Sequence, residues 1–322
     1  MRARTIGLAL LTIGVGFSLL WLFLRVTGIS GAELGRTLRN LRPLPLLVIL
    51  AATALSMAAG AEKWRLVEGH LCGRYPTRRQ SFGLSALGSA LGQFMPAPVA
   101  SALVRGGGAH LLTGSGGRRG ALSSAWEQLF DIGVICMAAV PALIALRLGD
   151  FRIFLFGAPV LAAVGDRLIG VSTRLAHRFL PAIARPLLDP SLSLKLYRLS
   201  LIKFLALIGM TLGVASAIGS SIPPLPLAAA IPPVAIAGTA SFVPAGLGVN
   251  EWSFVFFLGL SGIAQHPIAA FALMNRLLVG SFSILLGLVG AIFMRRAAPA
   301  PILASGLVGD EPYGDGAAGN PL

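Results

Sequence analysis

Long uncharged apolar stretches alternate with short charged ones along this chain, and the charges mark where helices must end. Residues 5–24 run uninterrupted between Arg4 and Arg25, close to the ~20 apolar residues that a bilayer-crossing helix needs. This run is too long for a secretory signal and no A-x-A cleavage pattern follows it, so a retained first helix is predicted. Residues 43–61 give a second span. Residues 80–104 are uncharged but interrupted by Gly92, Pro96 and Pro98. Residues 121–146 are apolar apart from Glu127 and Asp131, and residues 151–169 hold Arg152, Asp166 and Arg167. Residues 204–250 lack Asp, Glu, Lys and Arg altogether, enough for two spans with Pro223, Pro224 and Pro226 at the turn. A short apolar piece at 252–263 and a long one at 267–294, carrying Arg276, complete the pattern. The prediction is an all-α polytopic membrane protein, with about eight transmembrane helices plus Pro/Gly-broken re-entrant segments within 1–296. Residues 297–322, rich in Gly and Pro with Asp310, Glu311 and Asp315, read as a disordered tail.

Composition sharpens this picture. Charged residues are 12% of the 322 and hydrophobic ones 55%, whereas an average soluble domain carries about 25% charged residues. An ordinary cytosolic enzyme, a disordered chain and a disulfide-stapled secreted domain are excluded. The net charge of +14 would suggest nucleic acid in a soluble protein, but here it reads as basic loops at an anionic leaflet. With 80–104 re-entrant and the N-terminus inside, most basic residues fall on the inner face. They include Lys63, Arg78, Arg79, Arg118, Arg119 and Lys203. The outer face takes Arg25, Arg36, Arg39, Arg42, Arg147 and Arg152, and Arg276 stays in the membrane. That asymmetry obeys the positive-inside rule and puts both termini in the cytoplasm. Nucleic acid is not expected as a partner.

Two broken segments look alike: Phe94-Met95-Pro96-Ala97 and Phe242-Val243-Pro244-Ala245, each followed by a charge, Arg105 or Glu251. Proline removes a backbone donor, and irregular backbone survives at membrane depth only when buried in protein or lining a wet cavity. Broken segments in corresponding halves point to inverted repeats around a substrate site; coincidence in a chain with 21 prolines is the alternative. In the second break, Gly246 and Gly248 permit positive φ or close backbone approach. Asn250 is read as an N-cap, and Glu251 complements the helix dipole in the first turn.

Charges within spans are costly unless paired or wet, so each is a candidate functional group. Glu127 and Asp131 are four residues apart on one helix face and repel unless a cation lies between them. Arg105 and Arg276 are the cations considered. The candidate substrate-binding set is Arg105, Glu127, Asp131, Glu251 and Arg276, beside the break residues Pro96, Pro244, Gly246, Gly248 and Asn250. A purely structural ion-pair cluster is the competing role. Gly209 and Gly213 form a GxxxG helix-packing signal. The two cysteines (Cys72, Cys136) and four histidines are scattered, and no phosphate-binding G-x-x-x-x-G-K-[ST] loop occurs. Neither a metal, a cofactor nor a catalytic constellation is predicted.

Pro244-Ala245-Gly246-Leu247-Gly248-Val249-Asn250-Glu251 resembles the P-x-G-x-G-x-x-E signature of the lysylphosphatidylglycerol synthase membrane-region family, the flippase-like membrane proteins. The short apolar segment after Glu251, then a helix with Arg276, fits the same pattern, as do Pro96, Arg105, Glu127 and Asp131 upstream. The likeness covers roughly residues 5–295, although Ala97–Ser101 stand where the family tends to a Gly-Gly pair. The resemblance implies a non-enzymatic protein of the bacterial cytoplasmic membrane that binds an amphipathic lipid and moves it between leaflets. The soluble aminoacyl-transferring domain often joined to this region is not expected on this chain. Two other readings stay open: a membrane-embedded enzyme on a lipid or polyprenyl phosphate, and a scaffold for a glycosyltransferase or a lipid (for example hopanoid) synthesis enzyme. The partners implied are a membrane phospholipid or other amphipathic lipid, the anionic inner leaflet, and a lipid-synthesis enzyme or a second copy of the chain.

Overall fold

The computed structural model describes residues 2–73, 75–113, 117–176 and 189–297. All regular structure among them is helical, as the apolar periodicity demands. Four helices are long and apolar enough to cross a membrane: α3 (Pro43–Cys72), α6 (Gly117–Leu148), α8 (Pro190–Ala217) and α11 (Gln265–Ala297). A fifth span is counted if α1 (Arg2–Thr27) and the short amphipathic α2 (Gly31–Arg39), which meet at 87°, are one broken span. Helix α7 (Arg152–Ala176) is 25 residues long. Residues 298–322 of the predicted tail lie outside the described residues, as do the side chains of Arg118 and Arg119.

The remaining helices are half-length and pair as hairpins. Helix α4 (Arg78–Leu91) starts in a Thr77–Gln80 capping box and folds back on α5 (Ala97–Thr113). Gly88 lies against Ser101 and Gly92 against Ala97, so the two arms run antiparallel. The second hairpin joins α9 (Pro224–Ala240) to α10 (Val249–Gly259) through a 3-10 turn at Pro244–Gly246. At 1.5 Å per residue, arms of 17 and 11 residues reach only ~26 and ~17 Å, short of a ~30 Å hydrocarbon core. These are re-entrant hairpins; α9–α10 accounts for two of the eight spans expected from the sequence, and the one expected at 151–169, within α7, is not among the candidate spans either. Residues 204–250 supply half of one span and one hairpin arm rather than two spans. Residues 252–263 are mostly the second arm.

The helix order repeats. Phe94 of the first F-x-P-A motif corresponds to Phe242 of the second, a shift of 148 residues. The same shift carries 43–72 to 191–220, against α8 at Pro190–Ala217. It carries 78–91 to 226–239, against α9 at Pro224–Ala240, and 117–148 to 265–296, against α11 at Gln265–Ala297. Packing follows the same exchange: α4 lies on α11 as α9 lies on α6, and α3 packs on α8 across the centre. Gly213 meets Pro45 and Ile49, Gly209 meets Ala52, and Lys63 meets Ser200. Helices α3 and α8 are therefore antiparallel, and the two halves form an inverted repeat. The GxxxG of Gly209 and Gly213 is the close-packed seam of that central pair.

Helix α3 runs past the predicted end at residue 61 because Trp64 and Val67, both fully buried, continue its inward face. Gly73, with φ 68°, terminates it.

Candidate functional site

Each hairpin is tied to the long helix that follows it by one buried arginine–carboxylate pair. In the first half, Arg105 of α5 is nearly fully buried and binds Glu127 of α6. Its Nη2 donates to Ser85 Oγ of α4 at 3.0 Å. A Cβ on Gly60 of α3 would lie 3.5 Å from the same nitrogen, so the guanidinium stands where four helices meet. Ser101 and Ser124, 3.1 Å apart, join α5 to α6 one turn away.

Below this pair the predicted Glu127–Asp131 repulsion is resolved by a lysine that sequence reasoning placed in a solvated loop. Lys63 is 0% exposed. Its ammonium donates to Asp131 Oδ1, to the Glu127 carbonyl at 3.2 Å and to Ser200 Oγ at 3.0 Å, so all three protons are placed. Lys203 of α8 donates to the other oxygen, Asp131 Oδ2, at 2.6 Å. Arg105, Glu127, Lys63, Asp131 and Lys203 thus form one charged group spanning α3, α5, α6 and α8. Glu127 Oε2 and Arg105 Nε make no hydrogen bond among the described residues, although both side chains are buried and paired with each other.

In the second half the roles are exchanged: the hairpin arm α10 carries the carboxylate and the long helix α11 the arginine. Glu251 is buried in the first turn of α10. Arg276 binds it with both Nε and Nη2, the latter at 3.1 Å from Oε2, and Nη2 also reaches the Ala245 carbonyl at 3.3 Å. The break that supplies this carbonyl is tightly wound. Phe242 and Ala245 hold positive φ (52° and 48°), and Gly246 and Gly248 do so at 62° and 77°, a conformation costly for residues with a Cβ. Pro244 opens the 3-10 turn and is buried. The N-cap of α10 is Gly248, not Asn250. Asn250 instead turns inward, donating from Nδ2 to the Ala245 carbonyl at 3.1 Å, because the winding of the break leaves that carbonyl without a helical partner. Pro96 closes the first break directly before α5.

The structure therefore sorts the five predicted charges into two groups, Arg105–Glu127–Asp131 and Glu251–Arg276. No described side-chain bond joins them, but the halves interlock: Gln93 of the first break packs on Gly280 of α11, one turn beyond Arg276. Sequence reasoning missed Lys63 and Lys203. The apolar Trp64-x-Leu66-Val67 pattern following Lys63 was the available signal, since it carries the helical face beyond the charge. Asp166 pairs with Arg198 at 3.5 Å on the exposed α7/α8 surface, apart from both groups.

The two broken hairpins, each with one buried arginine–carboxylate pair of exchanged roles, are related as an inverted repeat. No curated protein matches this chain. Residues 6–287 match the lysylphosphatidylglycerol synthase TM region, and the chain belongs to that family of membrane proteins of lipid metabolism or transport.

Proposed function

We propose that this protein binds an amphipathic lipid and transfers it between leaflets, in the bacterial cytoplasmic membrane and with both termini cytoplasmic. The observation that carries the reading is the pair of re-entrant hairpins in an inverted repeat. Because α3 and α8 are antiparallel, α4–α5 and α9–α10 enter from opposite faces, and each is fastened by a single buried ion pair. Two such fastenings suit a pathway that opens to one leaflet at a time. In this scheme Arg105 and Arg276 take a lipid phosphate in exchange for their carboxylates. Glu127, Asp131 and Glu251 balance the arginines when no lipid is present or meet a cationic headgroup. An arginine exchanges partners at small cost because carboxylate and phosphate offer it the same paired oxygens.

The test is leaflet transfer of a fluorescent phospholipid by the purified protein in liposomes. Transfer is expected to fall strongly in Glu251→Gln and Arg276→Ala. Unchanged transfer in both variants, with the fold retained, would sink the assignment of these residues.

A further inference from the structure

The buried charge group of the first half is not neutral. Among the described ion pairs, Lys63, Arg105 and Lys203 share Glu127 and Asp131, so this group has one more cation than carboxylate. Lys63 has all its protons placed and Arg105 is sealed among four helices. The surplus falls to Lys203, whose one hydrogen-bond partner among the described residues is Asp131 and whose side chain is 35% exposed. Helix α8 runs from Pro190 to Ala217, which puts Lys203 ~20 Å from either end. But the first half of the helix carries exposed Lys195 and Arg198, and the uncharged stretch begins only at residue 204, so Lys203 stands at the interfacial edge of the apolar span. Its neighbours Ile202 and Leu205, and Leu129 and Ile132 beside Asp131 on α6, are all exposed apolar residues. A cation at that edge, open sideways beside a lipid-facing apolar surface, faces the level at which phospholipid phosphates lie.

We propose that Lys203, backed by Asp131 and Lys63, is a lateral binding site for the phosphate of a membrane phospholipid. This rests on the lipid-handling reading above and names the headgroup chemistry of its portal. The ammonium has two protons free for phosphate oxygens, a charge-assisted contact, while the apolar rim takes the acyl chains. A lipid fits this site better than free phosphate because the rim is apolar. The site belongs to the first half alone, since Leu55 occupies the position of the second half's partner helix that corresponds to Lys203.

The experiment is native mass spectrometry of the purified full-length protein, loaded with phosphatidylglycerol or with a phosphate-free glycosyl diacylglycerol of the same chains. Lys203→Gln is expected to lower retained phosphatidylglycerol about tenfold or more, the value of one charge-assisted hydrogen bond. Glycolipid retention should stay unchanged, and Lys203→Arg should restore the phospholipid. Lys203→Gln leaves Lys63 and Asp131 paired, so its thermal stability should hold or rise; a clear loss of stability would instead mark Lys203 as a structural cation and overturn the proposal. Equal retention of phosphatidylglycerol by wild type and Lys203→Gln would also overturn it. Displacement by millimolar inorganic phosphate would overturn the lipid as the source of the phosphate. Retention reads binding at equilibrium, so a wild-type protein that binds but does not transfer lipid would defeat the transport reading without touching this one.

Discussion

Where the first half buries Lys63, the second has Thr211; where it has Glu127 and Asp131, the second has Asn275 and Val279. The helices correspond, yet the interiors differ. The second half packs an extended apolar core on α1, from Phe23 through Val214, Leu227, Phe254, Leu258 and Phe271, and keeps one ion pair at its break. The first half holds a five-member charge group and small apolar clusters around it. The backbone plan, then, does not require a five-member charge group, because the second half adopts it with a single ion pair. That the first half keeps charges where the second has Thr211 and Val279 accords with the ligand role proposed above.

The sharpest way to break this comparison is to install the second half's residues in the first. Asp131→Val alone leaves two lysines facing each other and should cost about 3–5 kcal/mol, the usual result of stripping one partner from a buried ion group. It is read as a large drop in the unfolding temperature of the detergent-solubilised protein. The triple variant Lys63→Thr, Asp131→Val, Lys203→Leu removes the whole group and should recover most of that loss. A triple variant as unstable as the single one would show that the first half needs its charges to fold.

Smaller effects sharpen the contrast at the second break. Arg276→Lys keeps the charge but cannot span both Glu251 and the Ala245 carbonyl, and should cost about 1.5–3 kcal/mol. Gly248→Ala forces a Cβ into positive φ and to 2.9 Å from the Leu20 backbone nitrogen of α1. The expected loss is about 1–3 kcal/mol, whereas Gly133→Ala, in open space on α6, should be neutral or gain about 0.5–1 kcal/mol. Thermal unfolding of the two glycine variants side by side checks the difference. Smallest is Asp189→Ala, which removes the α8 N-cap bonds to Ser191 and Leu192 and should cost about 1 kcal/mol. Hydrogen bonding from the Ser191 hydroxyl holds the Asp189 carboxyl below the usual carboxylate range. Its contribution is therefore present above the ordinary carboxylate pKa and lost as the pH falls through the lowered folded value. The gap between wild type and variant should close on acidification.

Much of this architecture was legible in the linear order of residues. The spans at α3, α6, α8 and α11 and both breaks rest on apolar run length, proline positions and charge scarcity, all local quantities. The two F-x-P-A motifs also carried the repeat, but four residues alone could not be told from coincidence. The helix boundaries that line up at the same shift removed that ambiguity. Lys63 was misplaced for a definite reason: a charge at the end of an apolar run looks like a helix end unless the helix partner that neutralises it is known.

The sequence by itself determined the solvent in which this protein folds, the number of chain breaks and the residue types available at them, because hydropathy and proline act through the chain's own backbone. Tertiary structure alone decided which charges meet. Asp131 is joined to Lys63 and Lys203 across 68 and 72 residues, and those distances close only when the antiparallel packing of α3 on α8 brings both helices to α6.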